Sequence, residues 1–278
     1  MINSNIELFG RKTFFFAADN QLVPGACLER LMKHGYEAYL VGDSATAPLE
    51  DKVRAVIRLY PDAILFFNID ASVRGIDWQD YIRGLLAAQE ANILVGVVYK
   101  MCAPELESQR KSFYEQNLRV SAGCLMLESG EEEIFQAIRE ILARNGARGR
   151  RNLVRADCDK DSTVTFSCNG ESRSGRLLDI NVTHFLCDMK GKAAPLPMFQ
   201  KVKGAKLRIN GFDLQSNAVL IMKRQSLDAN LCIFMFIKQD DSPDLEREQV
   251  IQLNKKIYQI VTDKNMSLLK ATYMGRKN

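Results

Sequence analysis

The sequence predicts two kinds of architecture in one chain. A doubly wound α/β domain comes first, and a closed six-stranded antiparallel β-barrel with a C-terminal helix follows it. Three observations carry this. Between residues 12 and 147, five short apolar runs alternate with five helical patterns, the order that builds a mostly parallel sheet covered on both faces. Past residue 148 the period falls to two, and the runs are separated by Gly, Asn, Asp and Ser. Near the end, Asp244 to Asp263 returns to helical spacing, with Leu245, Val250, Leu253, Ile257, Ile260 and Val261 on one apolar stripe. The expected domains are 1–147 and 148–278.

In the first half, Lys12 to Ala18 is a buried-strand run and Asp19-Asn20 follow it. Pro24-Gly25 open a helix with Leu28, Leu31 and Met32 on one face, and Gly35 ends it. Glu37 to Gly42 is the second strand and Pro48 to Leu59 the second helix. Asp62 to Phe67, Ile93 to Tyr99 and Gly123 to Leu127 are the remaining strands. Trp78 to Glu90 and the polar run Pro104 to Gln116 are the helices between them. Ser129 to Asn145 is the strongest helical pattern: Ser129 stands at the cap position, and Glu131, Glu132 and Glu133 occupy the first turn, where the helix dipole favours acid.

In the second half the strands are Ser162 to Cys168, Ser172 to Ile180, Phe185 to Met189, Lys206 to Asn210, Asp213 to Lys223 and Ala229 to Ile237. Asn169-Gly170 and Asn210-Gly211 are hairpin turns, because both residue types accept a left-handed backbone. Gly191 to Val202, with Pro195 and Pro197, reads as a loop. Six short strands in this length suit a closed barrel. The final helix packs over the barrel or against another subunit, which makes a homodimer through that helix a candidate.

Composition bounds the function. Hydrophobic content of 46% and charged content of 26% are those of a globular protein. No apolar run reaches the length of a membrane span, so membrane insertion is not expected. The N-terminus lacks the basic-then-apolar form of a signal peptide, and the expected location is cytoplasmic. A net charge of +4 is too small to argue for nucleic-acid binding. The seven Cys show no CxxC pair and read as reduced thiols. Two His, His34 and His184, give a metal site little to build on. No nucleophile–base pair or phosphate loop is evident, so neither an enzyme nor a cofactor is expected.

One local feature outweighs the totals: Arg148-Gly149-Arg150-Arg151-Asn152-Leu153-Val154-Arg155, at the junction of the two patterns. A basic run at a domain junction reads either as a solvated linker or as an anion site. Arg keeps its charge near neutral pH, and its planar fork matches phosphate oxygens two at a time. In an extended chain Arg151 and Arg155 are at most about 14 Å apart, so both can reach one compact anion.

The segment from about residue 10 to 145 resembles a response-regulator receiver domain, a flavodoxin-like fold. The resemblance rests on element order and on Pro61-Asp62-Ala63-Ile64-Leu65-Phe66-Phe67, which is similar to that family's third strand. The phosphate-accepting Asp of the family falls on Phe67, with Asn68 beside it, and neither side chain can be the nucleophile. Its Mg²⁺-holding acidic pair is reduced to Asp19, between Ala18 and Asn20. Strand four ends Val98-Tyr99 without the expected hydroxyl residue, and Glu128-Ser129 stand where the family has Lys-Pro. The resemblance therefore implies a pseudo-receiver that presents a surface and takes no part in phosphorelay. Asp70 is a surface loop acid in this reading.

Residues 148 to about 262 resemble a PilZ domain, on an RxxxR segment ahead of six strands, Asp179-Ile180-Asn181-Val182-Thr183-His184 in place of DxSxxG, and a closing helix. That family binds cyclic di-GMP. The resemblance implies that Arg151 and Arg155 contact its phosphates and stack on its guanines, with Arg150 assisting. Asp179 would accept hydrogen bonds from a guanine edge. Asn181 stands where the family has Ser, and His184 where it has Gly, adding bulk at the pocket wall. Two functions follow. One is a cyclic di-GMP effector that couples binding at the interdomain loop to domain rearrangement and to an unidentified protein partner. The other is a degenerate scaffold that binds no nucleotide.

Overall fold

The computed structural model describes residues 10–44, 47–88, 92–128, 130–150, 153–168, 170–189, 196–225 and 230–275. It divides into two units: one runs to Val154 and takes in the chain from Asn265, and the other is Arg155–Lys264. The boundary expected at 147 and 148 remains a proposal for where an independently folding piece begins.

The first unit holds a five-stranded parallel sheet in the order β2-β1-β3-β4-β5. Its strands are β1 Thr13–Phe16, β2 Ala38–Val41, β3 Ile64–Asn68, β4 Leu94–Lys100 and β5 Gly123–Leu127. The helices are α1 Gly25–Lys33, α2 Leu49–Leu59, α3 Trp78–Ala88, α4 Pro104–Lys111 and α5 Glu131–Arg144. Every residue of β1 and β3 is buried, as two covered faces require. Phe15 stacks on Phe66 at 5.4 Å, and Phe16 on Phe67 at 5.3 Å. Gly96 in β4 has no room for a side chain: a Cβ there would lie 2.5 Å from the Phe66 ring and 2.7 Å from the Gly123 carbonyl oxygen.

Two details differ from expectation. The polar helix 104–116 turns π-helical over Ser112–Asn117, where the half-buried Phe113 and buried Tyr114 rings sit edge to face. The cap of α5 is Gly130, with no side-chain cap bond, and Ser129 lies outside the described residues.

The second unit is the barrel. Its strands are β6 Ala156–Asp157, β7 Thr163–Cys168, β8 Glu171–Ile180, β9 His184–Asp188, β10 Lys201–Ile209, β11 Phe212–Gln225 and β12 Asn230–Ile237. They run β6-β8-β7-β10-β11-β12-β9, and β9 pairs again with β8. That last pairing closes six antiparallel strands, with β6 a short addition outside the ring. The period of two is clear in β7, where Val164, Phe166 and Cys168 are buried and Thr163, Thr165 and Ser167 exposed. Phe185 stacks on Phe234 at 5.1 Å, with Phe166 edge-on to Phe234 and Phe236 tilted against Phe185.

The turn Asn210-Gly211 has φ of 46° and 78°, so both residues adopt the left-handed backbone that joins β10 to β11. Asn169, of the other expected hairpin, lies outside the described residues. β10 begins at Lys201 and not at Lys206, because a bulge between Val202 and Ala205 absorbs Gly204 within the strand.

The final helix, α6, spans Arg247–Met274, beyond the expected end at Asp263. Leu253, Ile257, Ile260 and Val261 are buried in the barrel unit, and Asn265 and Leu269 in the other. Asn265 explains the longer helix: its amide donates to the Tyr39 hydroxyl at 2.8 Å, and its oxygen accepts from Tyr60, so a polar residue continues a buried stripe.

Candidate functional site

The residues singled out in the second motif come together at one edge of the barrel. β6 lies antiparallel to the end of β8, placing Asp157 opposite Asp179. β8 also pairs with β9, placing Asp179 opposite Leu186 and Ile180 opposite Phe185. Arg155 immediately precedes β6, so its side chain reaches Asp179. The guanidinium Nη1 stands 3.4 Å from Asp179 Oδ1, with side chains 37% and 22% exposed. That separation is long for a charge-assisted hydrogen bond, and an ion pair this exposed contributes at most about 1 kcal/mol. The pair stands at the surface, where a ligand could reach both groups.

The turn from β8 to β9 is organised by Asn181. Its side-chain oxygen accepts from the Thr183 and His184 amides, each at 2.8 Å, and from the Thr183 hydroxyl at 2.9 Å. The Asn181 amide donates to the His184 carbonyl at 2.9 Å. Asn181 is buried. Thr183, given no role by the sequence reading, joins this network and also meets His184 Nδ1 at 2.6 Å. With the hydroxyl donating to Asn181, the ring donates from Nδ1. The signal that identifies Thr183 is the Asn-x-Thr spacing, since an Asn side chain bonds the backbone two residues on.

His184, where the resemblance led one to expect Gly, needs no glycine-like backbone: its φ lies outside the left-handed region. Burial, and then the Arg155 charge, push its imidazole pKa below the ordinary 6.5, which leaves the ring neutral near pH 7. Arg155 therefore acts on both Asp179 and His184. An acidic flank lies beside them. Cys158 is pushed up to about 12 by burial, then by Asp179, Asp159 and Asp157. Asp157, also missed by the sequence reading, forms an ion pair with Lys264.

Of the expected arginines, Arg150 is exposed and Arg151 lies outside the described residues. A cavity of about 320 Å³ opens elsewhere on the barrel, lined by Gly204, Gln215, Asn217, Lys238 and Gln249 among others, and includes none of these residues.

The other candidate, the C-terminal end of the parallel sheet, is filled. Phe67 is fully buried, with Phe16 at 5.3 Å, Trp78 at 5.8 Å and Tyr81 edge-on at 5.8 Å. Asn68 donates to the Ala17 carbonyl at 3.0 Å and accepts from the Asp70 amide. Asp70 is more tightly held than a loose surface acid. It accepts from Arg110 at 2.7 Å and from the Lys100 amide at 2.8 Å. One oxygen of Asp19 caps its own turn at the Gln21 and Leu22 amides. Among the described residues, no group of three or more His, Cys, Asp and Glu could hold a metal ion. No described helix is long and apolar enough to cross a membrane.

No family model and no curated protein matches the chain. Solved structures do. The PilZ domain with c-di-GMP of YcgR from Escherichia coli is 14% identical, and the match covers 42% of this chain and 96% of that one, with a TM-score of 0.36. The apo structure of MrkH from K. pneumonia is 14% identical over 44% of this chain and 53% of its own, at 0.36. The Bacillus subtilis inhibitor of motility, MotI/DgrA, is 11% identical over 41% and 52%, at 0.34. The match spans about half the length of the last two. The six-stranded barrel with its following helix stands on the strand pairing of the chain itself.

Proposed function

We propose that the chain is a signalling effector that binds cyclic di-GMP at the barrel edge, without catalysis. The observation that carries this is the solvent-accessible Arg155–Asp179 pair at the barrel edge. It sets a fork of N–H donors suited to a phosphate beside a carboxylate suited to the N–H edge of a guanine. Arg150 and Arg151, in the segment leading to Arg155, would supply further cations, and His184 an aromatic wall. YcgR from Escherichia coli is described with c-di-GMP, and that ligand is carried to this chain here as a proposal. Engagement of the arginines of that segment by ligand would change which surface the chain offers a protein partner.

The test is isothermal titration of the full chain with cyclic di-GMP. Saturable binding is expected, weakened at least about 30-fold by Arg155→Ala, since truncating one member of a charged contact exposes the other. Absence of heat with the nucleotide in large excess overturns the proposal. It would favour the second reading, a scaffold that binds no nucleotide. One observation supports that reading: the Asn181 oxygen is already taken by three donors.

A further inference from the structure

The barrel carries an anomaly away from the site described above. Pro197-Met198-Phe199-Gln200 is a tight turn, closed by the Gln200 amide donating to the Pro197 carbonyl at 3.2 Å. Phe199 occupies its third position with φ of 61°. A turn with positive φ at that position ordinarily takes Gly or Asn, because a bulky side chain there is strained. Phe199 gains no burial in return: it is 72% exposed. A strained residue whose side chain is left in solvent gains no packing in return, and such outliers point to a function.

Phe199 does not stand alone. Its amide donates to the Leu220 carbonyl at 2.9 Å, and Leu220 donates back to Gln200 at 3.0 Å, so the turn lies along β11. Two residues further along β11 is Met222, 55% exposed, and Met198 in the turn itself is 42% exposed. Lys223 reaches across from β11 to the Leu196 carbonyl. Around these apolar groups the charges are mainly positive. Lys201 and Lys203 are exposed on β10 just past the turn, and Arg224 is exposed two residues past Met222. Asp241 neutralises one of them, bonding Lys201 at 2.7 Å.

We propose that this turn docks peripherally on an anionic lipid surface, with Phe199, Met198 and Met222 entering the headgroup region and Lys203 and Arg224 facing lipid phosphates. Met198 and Phe199 are exposed on the turn and Met222 on the strand beside it, an arrangement that needs no complementary pocket, and the cations match a negative leaflet. Nothing here spans the bilayer, and the proposal does not depend on cyclic di-GMP.

The experiment is co-sedimentation of the full chain with vesicles of phosphatidylcholine alone and with phosphatidylglycerol mixed in. Binding is expected only to the mixed vesicles, falling about fivefold for each of Lys203→Gln and Arg224→Gln. Phe199→Gly should lower it at least about tenfold. The same Phe199→Gly chain should melt at a higher temperature, because Gly relieves the positive φ, so loss of binding cannot be loss of fold. A wild-type chain that ignores the mixed vesicles, or that binds pure phosphatidylcholine equally, overturns the proposal. So does a Phe199→Gly chain that binds undiminished. Self-association that depends on Phe199 in sedimentation velocity, without vesicle binding, would make a second copy the occupant and overturn it as well.

Discussion

The two units differ at the positions where the two sequence resemblances lead one to look for chemistry. In the α/β unit the end of the parallel sheet is closed by rings: Phe67 lies among Phe16, Trp78 and Tyr81. The nearby polar groups, Asn68, Asp70 and Asp19, are tied into loop hydrogen bonds. At the barrel edge the altered residues are still polar and still convergent, with Arg155 acting on Asp179 and on His184. A position filled by packed rings does not become a polar site by one substitution. A position held by polar side chains keeps its field and its donors.

The largest effect should come from placing a carboxylate at the first position. Phe67→Asp puts a carboxylate where no solvent reaches, removes three ring contacts and gains no metal partner. It should destabilise the chain by about 4 kcal/mol or more, read from denaturant midpoints, and should accept no phosphoryl group from acetyl phosphate. A stable variant that is phosphorylated would erase the contrast between the units. The equivalent exchange at the barrel, Asn181→Ser, should be tolerated far better, because a hydroxyl can still accept from part of the same turn. Asn181→Ala should cost more, about 1–2 kcal/mol, by leaving the Thr183 and His184 amides without their acceptor. A neutral outcome for Asn181→Ala would show that the turn does not depend on this side chain.

The same contrast explains what was legible beforehand. Periodicity revealed the parallel sheet and the barrel, because burial on two faces or on one writes itself into the spacing of Val, Leu, Ile and Phe. It did not reveal β6, which is only Ala156–Asp157 and too short to have a period. It ended α6 too early, because Asn265 and Thr262 interrupt the apolar stripe although Asn265 is buried on two tyrosine hydroxyls. It began the fourth barrel strand only at Lys206, although the strand runs from Lys201 through a bulge that holds Gly204. At the candidate site, motif spacing singled out Asp179, Asn181 and His184, which the structure joins with Arg155. It missed Thr183 and Asp157, whose parts depend on a turn and on a cross-strand register that a one-dimensional pattern does not display.

The smallest effect gives the most local test of that joined geometry. The chain has two histidines, one in each unit, and both are held below the ordinary imidazole value. For His34 the causes are burial and then Arg139, with Arg30, Arg148 and Lys33 adding less. For His184 they are burial and then Arg155. A folded pKa below the unfolded one means that the unfolded chain takes up its proton first as pH falls. Both residues therefore cost no stability above the unfolded value of about 6.5 and lower it as pH drops through their folded values. Arg155 is exposed, so Arg155→Ala removes a charge while leaving the burial of His184 in place. It should move the His184 imidazole resonance midpoint upward only part of the way, and should leave His34 where it was. Arg139→Ala should do the converse. If Arg155→Ala leaves the His184 midpoint unchanged, the guanidinium does not face that ring, and the cluster proposed to receive the nucleotide loses its central member.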